Sequence, residues 1–127
     1  MSRISRVTRF VRNALLLAFV LSVAGMRLEG HAILKSSSPT SGGSVTRPDV
    51  PVKLTFNVRV DAARSKLQLL MPDASTVELP IAKWPSPDTL VSKLTGLKPG
   101  VYTIRWQVLA PDGHISRGEI PFTVKNP

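Results

Sequence analysis

At 127 residues with no cysteine and a formal net charge of +9, the chain is too short for two full domains. It also offers no thiolate to a zinc finger, a soft Cu(I) site or covalent catalysis. Part of the charge sits in the first thirty residues, and beyond them the basic residues are spread from Lys35 to Lys125 without a run. That dispersion excludes a dedicated basic stripe, so nucleic acid is not an expected partner.

Arg3, Arg6, Arg9 and Arg12 form a basic start, and Ala14 to Gly25 is an unbroken small and apolar run. The run is well short of the ~20 residues that span a bilayer and has the length of a signal-peptide core. Residues 1–30 are therefore expected to be an export signal cut after Gly30, although Leu28 is larger than the residue usually found two positions earlier. An uncleaved anchor is the alternative. After the cut, residues 31–127 form one domain with twelve of the seventeen basic and seven of the eight acidic residues, a net charge of +5.

In that domain, turn signals outnumber helix periodicity. Ser36 to Pro51 is dense in Ser, Gly and Pro and reads as loop. Val52, Leu54, Phe56 and Val58 alternate with Lys53, Thr55, Asn57 and Arg59, which predicts a strand over Val52–Val60 with one buried face. Asp61 to Leu70 is compatible with a short helix, but no stop signal follows. Lys66–Met71 and Thr76–Ile81 read as strands around the Pro72-Asp73 turn. Lys83 to Asp88 contains two prolines and must be a connection, with Trp84 among them. Leu90–Leu94 is a further short strand.

The clearest strand runs from Val101 to Leu109, with Tyr102, Ile104, Trp106 and Val108 on one face and Thr103, Arg105 and Gln107 on the other. Trp106, mid-strand on the apolar face, is expected in the core. Pro111-Asp112-Gly113-His114 ends this strand, and Ile120, Phe122 and Val124 alternate in the last one. Short strands at this spacing indicate a β-sandwich or barrel. Leu97-Lys98-Pro99-Gly100-Val101-Tyr102 adds a Pro-Gly turn feeding a strand whose second residue is Tyr. In Greek-key sandwiches such a tyrosine folds back to hydrogen-bond the turn, the tyrosine corner.

The domain has two histidines, His31 and His114. Cleavage after Gly30 would free an α-amine on the residue that carries the first imidazole, and amine and Nδ1 can then close a chelate ring on a metal. A peptide nitrogen with Gly30 still attached is a poor donor. Asp112 and His114, two apart, can point the same way, and Gly113 lets the backbone bend between them. Amine, two imidazoles and one carboxylate form a nitrogen and oxygen set that suits Cu(II) in geometry and in affinity order. Zinc competes for the same donors. Taken alone, Pro-Asp-Gly-His is also a good structural turn, with Asp accepting from the backbone and Gly bending it. Catalytic patterns are thin: no serine near His114 has a nucleophile-elbow context, and Gly42-Gly43 is not followed by a strand-to-helix phosphate loop.

At these residues the chain resembles the CopC family of periplasmic copper-resistance proteins. The resemblance is carried by His31-Ala32-Ile33-Leu34 and Ser38-Pro39, by Val52-Lys53-Leu54-Thr55-Phe56-Asn57, and by the run Gly100 to Val108. It continues through Asp112-Gly113-His114, Gly118 and Phe122-Thr123-Val124. It implies an all-β, immunoglobulin-like Greek-key sandwich of about seven strands, exported to the periplasm. It implies one Cu(II) per chain, held by the His31 amine and imidazole, Asp112 and His114. It further suggests copper sequestration, or delivery to a CopD-like inner-membrane protein, and the chain is read as a monomeric Cu(II) chaperone or buffer, not an enzyme. Two positions depart from the family pattern. Val58 stands where many relatives carry a Glu near the Cu(II) site. The domain's one methionine, Met71, cannot by itself make the Met-rich Cu(I) loop of some relatives.

Two other classes fit parts of the pattern. A histidine-brace copper monooxygenase also uses an N-terminal His with a second His, but Asp112 would fill a position that oxygen chemistry needs open. A metal-free immunoglobulin-like interaction module would use neither histidine.

Overall fold

The computed structural model describes residues 31–83 and 86–127. The expected signal segment, residues 1–30, and Trp84 lie outside the described residues. Among the described residues, eight strands occur in the order β1 (Leu34–Ser38), β2 (Gly43–Val45), β3 (Val50–Phe56), β4 (Lys66–Leu70), β5 (Thr76–Leu79), β6 (Thr89–Leu94), β7 (Gly100–Leu109) and β8 (Ile115–Val124). They form two sheets, a three-stranded β1-β3-β6 and a five-stranded β2-β8-β7-β4-β5. The chain pairs β3 with β6 in one sheet and β4 with β7 in the other, so the connections cross between layers. This is the all-β sandwich that the strand spacing indicates, in the immunoglobulin-like Greek-key form that the family resemblance implies.

The core lies where the alternating faces meet. Val52, Leu54 and Phe56 of β3, Leu90 of β6, Leu67 of β4, Ile104 and Val108 of β7, and Ile120 and Phe122 of β8 are all at most 1% exposed. Trp106 is buried as expected, with its ring edge-on to Phe56 at 5.2 Å and 70°. Its indole N–H has no hydrogen-bond partner among the described residues, so packing alone holds the ring. The cross-strand partner of Trp106 is Gly118, and a Cβ there would lie 2.3 Å from Trp106 Cζ2. Only glycine lets the indole lie flat on β8.

Three local expectations need correction. The strand expected over Val52–Val60 runs over Val50–Phe56, because the chain bends at Asn57 and leaves the sheet. Ser36–Pro51 is not all loop. Ser36, Ser37 and Ser38 belong to β1 and pair with Thr55, Leu54 and Lys53, while Gly43–Val45 pairs in parallel with Phe122–Val124. Both are edge strands, held through backbone groups that do not depend on apolar side chains. The helix considered over Asp61 to Leu70 is a single 3-10 turn, Ala62–Arg64, capped by Asp61 Oδ1, which accepts from the backbone N–H groups of Ala63 and Arg64. Strand β4 begins one residue later, after Ser65.

At one end of β7 the tyrosine corner is present. Tyr102 is 3% exposed and its hydroxyl donates to the Lys98 carbonyl oxygen at 2.7 Å. Met71, half-buried against the core, follows β4 at this same end, because its neighbour Leu70 pairs with Thr103 near the start of β7. The other end of β7 carries the Asp-Gly-His turn.

Candidate metal centre

The β7–β8 ladder runs unbroken to the pair Leu109 and Ile115. The turn beyond it closes on backbone bonds from Ala110 N–H to the His114 oxygen at 2.9 Å and from Gly113 N–H to the Ala110 oxygen at 3.0 Å. Gly113 sits at φ +84, a left-handed conformation that costs glycine little. Asp112 then grips His114 twice. Its Oδ1 accepts the His114 backbone N–H at 3.0 Å, and its Oδ2 lies 2.7 Å from His114 Nδ1. One carboxylate thus closes the turn and pairs with the imidazole.

These contacts decide the chemistry of the ring. The backbone N–H of His114, then its ring, and then the charges of His114 and His31 hold the Asp112 carboxyl below the usual aspartate range. An ionised carboxylate can only accept, so Nδ1 is the donor. The neutral ring therefore keeps its lone pair on Nε2, the arrangement in which a carboxylate orients a metal-binding histidine. The side chain of His114 is 65% exposed, which leaves that nitrogen open to an incoming ion.

His31 arrives from the other sheet. The segment ahead of β1 is held by Ala32, which is buried, and by two bonds between Ile33 and Asn57. Asn57 N–H donates to the Ile33 oxygen at 3.0 Å, and Ile33 N–H donates to Asn57 Oδ1 at 2.7 Å. This brings the His31 ring to 4.9 Å from the His114 ring, centre to centre, at 47°. Since metal–nitrogen bonds are about 2 Å long, two imidazoles this close can share one ion after small side-chain rotations.

The structure thus brings His31 and His114 together and couples Asp112 to His114. It does not bring three His, Asp or Glu side chains into ready metal-binding geometry among the described residues. Both Asp112 oxygens are turned to His114, so coordination by Asp112 would use its remaining lone pairs. Val58, which stands where many relatives carry a Glu, is half-buried against the core and supplies no donor. Asn57 escaped the sequence reading because it alternates outward at the end of a strand, as a plain solvent-facing residue would.

The CopC domain family matches residues 34–125. The chain belongs to the CopC family. Asp112 and His114 lie inside the matched span, and His31 lies three residues before it. Among solved structures, the chain is similar to CopC from Methylosinus trichosporium OB3b. The two are 31% identical with a TM-score of 0.71, over 76% of this chain and 95% of that one. It is also similar to PcoC, a methionine-rich copper resistance protein from Escherichia coli, at 26% identity and TM-score 0.63 over 75% and 99% of the two chains. Copper resistance protein C of Xanthomonas campestris pv. juglandis is 30% identical over 112 residues, covering 82% of this chain and 87% of the relative. CopC membership and the eight-stranded sandwich support each other, since the structural match spans nearly the whole of the solved CopC.

Proposed function

We propose that this CopC-family chain is exported, loses residues 1–30, and binds one Cu(II) as a monomer through the His31 amine and imidazole, Asp112 and His114. The single observation that carries the reading is the approach of the two histidine rings to 4.9 Å from segments that border different sheets. The copper-resistance names of its relatives point to the same metal. A nitrogen-rich set with one carboxylate favours Cu(II) over zinc by the affinity order. The open, solvent-facing position of His114 suits an ion that is handed on, and the reading extends to sequestration in the periplasm or delivery to a CopD-like inner-membrane protein. Catalysis is not part of it: a histidine-brace monooxygenase needs an open coordination position that Asp112 would take. Ascorbate-driven oxidation of a polysaccharide above a free-copper control would revive that alternative. A metal-free module would leave copper tolerance unchanged in a His114→Ala strain, whereas the copper reading expects that strain to become copper-sensitive.

The direct test is a Cu(II) titration against a chelating competitor, comparing protein that begins at His31 with protein carrying one extra Gly before it. The added residue converts the amine to an amide, and one-to-one binding should weaken at least tenfold. Equal binding by the two forms would remove the amine from the site.

A further inference from the structure

We infer that Asn57 is a positioning residue for the metal centre: its side-chain carbonyl fixes the N-terminal segment so that His31 meets His114. The inference rests on the copper reading above and adds a residue to it.

Strand β1 joins the ladder at Leu34, paired with Phe56, and β3 ends at Phe56. One residue further on, a regular antiparallel pair between Ile33 and residue 57 would exchange two backbone bonds. Only one of them is a backbone bond here, from Asn57 N–H to the Ile33 oxygen. The other, from Ile33 N–H, goes to Asn57 Oδ1 at 2.7 Å. The side chain thus stands in for the residue's own carbonyl. The ladder extends one residue toward the N-terminus while the backbone after Asn57 turns away, where Val60 N–H bonds the Pro87 oxygen and Asp61 N–H bonds the Leu109 oxygen.

His31 lies two residues before Ile33, on the same side of an extended segment, with Ala32 buried between them. Chain ends fray unless tied down. Ile33 is 61% exposed, so its side chain gives the segment little packing. The two bonds to Asn57 and the burial of Ala32 are therefore what set the direction in which His31 projects. Valine or leucine at position 57 would still form the backbone bond but would leave the Ile33 N–H without its acceptor. Serine would offer an oxygen on a shorter arm.

The test uses protein beginning at His31, with Asn57→Ala and Asn57→Asp variants. Cu(II) affinity, the copper electron paramagnetic resonance spectrum and the denaturation midpoint are read on each, and wild-type protein with one added Gly runs in the same titration. Asn57→Ala should bind Cu(II) roughly three- to tenfold more weakly, the loss that one hydrogen bond represents, with fewer or altered nitrogen couplings in the spectrum. Asn57→Asp keeps the acceptor and should restore the wild-type spectrum. A lower denaturation midpoint in Asn57→Ala with unchanged affinity and spectrum would overturn the inference, because the residue would then be merely structural. Equal weakening by Ala and Asp would overturn it as well, because the acceptor would not be what matters. If the added Gly abolishes tight binding and Asn57→Ala does nothing, the inference alone fails. If the added Gly also changes nothing, the site reading fails with it.

Discussion

Strand β7 joins two ends of the sandwich that are built on opposite terms. At its start, Tyr102 is buried, its hydroxyl bonded to the Lys98 carbonyl and its ring stacked on Phe122 at 5.7 Å. At its finish, Pro111 to His114 are all exposed, and polar contacts rather than packing set their arrangement. One end spends its aromatic residues on holding the layers together. The other leaves a histidine in water, with its orientation fixed and its second nitrogen open. The difference teaches that fold stability and the proposed metal chemistry are separable, because none of the proposed donors is a buried core side chain among the described residues. Substitutions at the two ends should therefore fail in different assays.

The largest effect is expected at the core end. Phe122 is 1% exposed, and Phe122→Ala should cost about 3–5 kcal/mol through lost burial and the cavity left beside Tyr102. Against a total stability of about 5–15 kcal/mol for a domain, that is a large share. Guanidinium denaturation would measure it, and the fraction still folded should bind Cu(II) as wild type does. A parallel fall in affinity would show that the two ends are coupled and break the comparison.

A smaller effect is expected from the hydroxyl alone. Tyr102→Phe keeps the ring and its stacking but removes the bond to Lys98, a loss of about 1 kcal/mol for a part-buried neutral hydrogen bond. A change within error of zero would mean that water replaces the hydroxyl freely and that the corner is a packing feature only.

Much of the core end was legible in advance because its signals are local. Strict alternation from Tyr102 to Val108 announces a half-buried strand, and Pro99-Gly100 ahead of Tyr102 announces the corner. The edge strands were hidden for a physical reason. Ser36 to Ser38 and Gly43 to Val45 pair through backbone groups, which leave no apolar period in the side chains. The site end was half legible. Asp112 and His114 are two residues apart, and their type and spacing suggest a turn or a donor pair. That His31 reaches the same place depends on β1 pairing with β3 and on Asn57 bonding Ile33, contacts between residues distant in sequence. Nor does spacing disclose that Asp112 already uses both oxygens on His114, which settles the nitrogen that His114 can offer.

The smallest effect on stability, and the sharpest separation of the two ends, should come from acid. The Asp112 carboxyl is held below its ordinary range chiefly by the His114 backbone N–H, and that of Asp73, in the β4–β5 turn at the corner end, chiefly by the Ser75 hydroxyl. A carboxyl with a lower pKa in the folded than in the unfolded chain stabilises the fold at pH values above the unfolded pKa. That contribution is lost as pH falls through the ordinary carboxylate range and down through the folded value. Asp112→Asn and Asp73→Asn each remove one such group, so each should make stability decline less steeply on the acid side. The Asp73 carboxyl is exposed and that of Asp112 partly so, and screening by water should make each change smaller than that of Tyr102→Phe. Their effects on copper should diverge. Asp112→Asn removes a carboxylate donor and the charge that holds the His114 proton on Nδ1, so Cu(II) affinity should drop. Asp73→Asn, at the far end of the sandwich, should leave it unchanged. Unfolding curves from pH 2 to 7 run beside copper titrations at neutral pH would read both quantities. If Asp112→Asn flattened the acid limb and bound copper as tightly as wild type, Asp112 would be a turn residue that orients the backbone and nothing more. The metal would then depend on the two histidines alone.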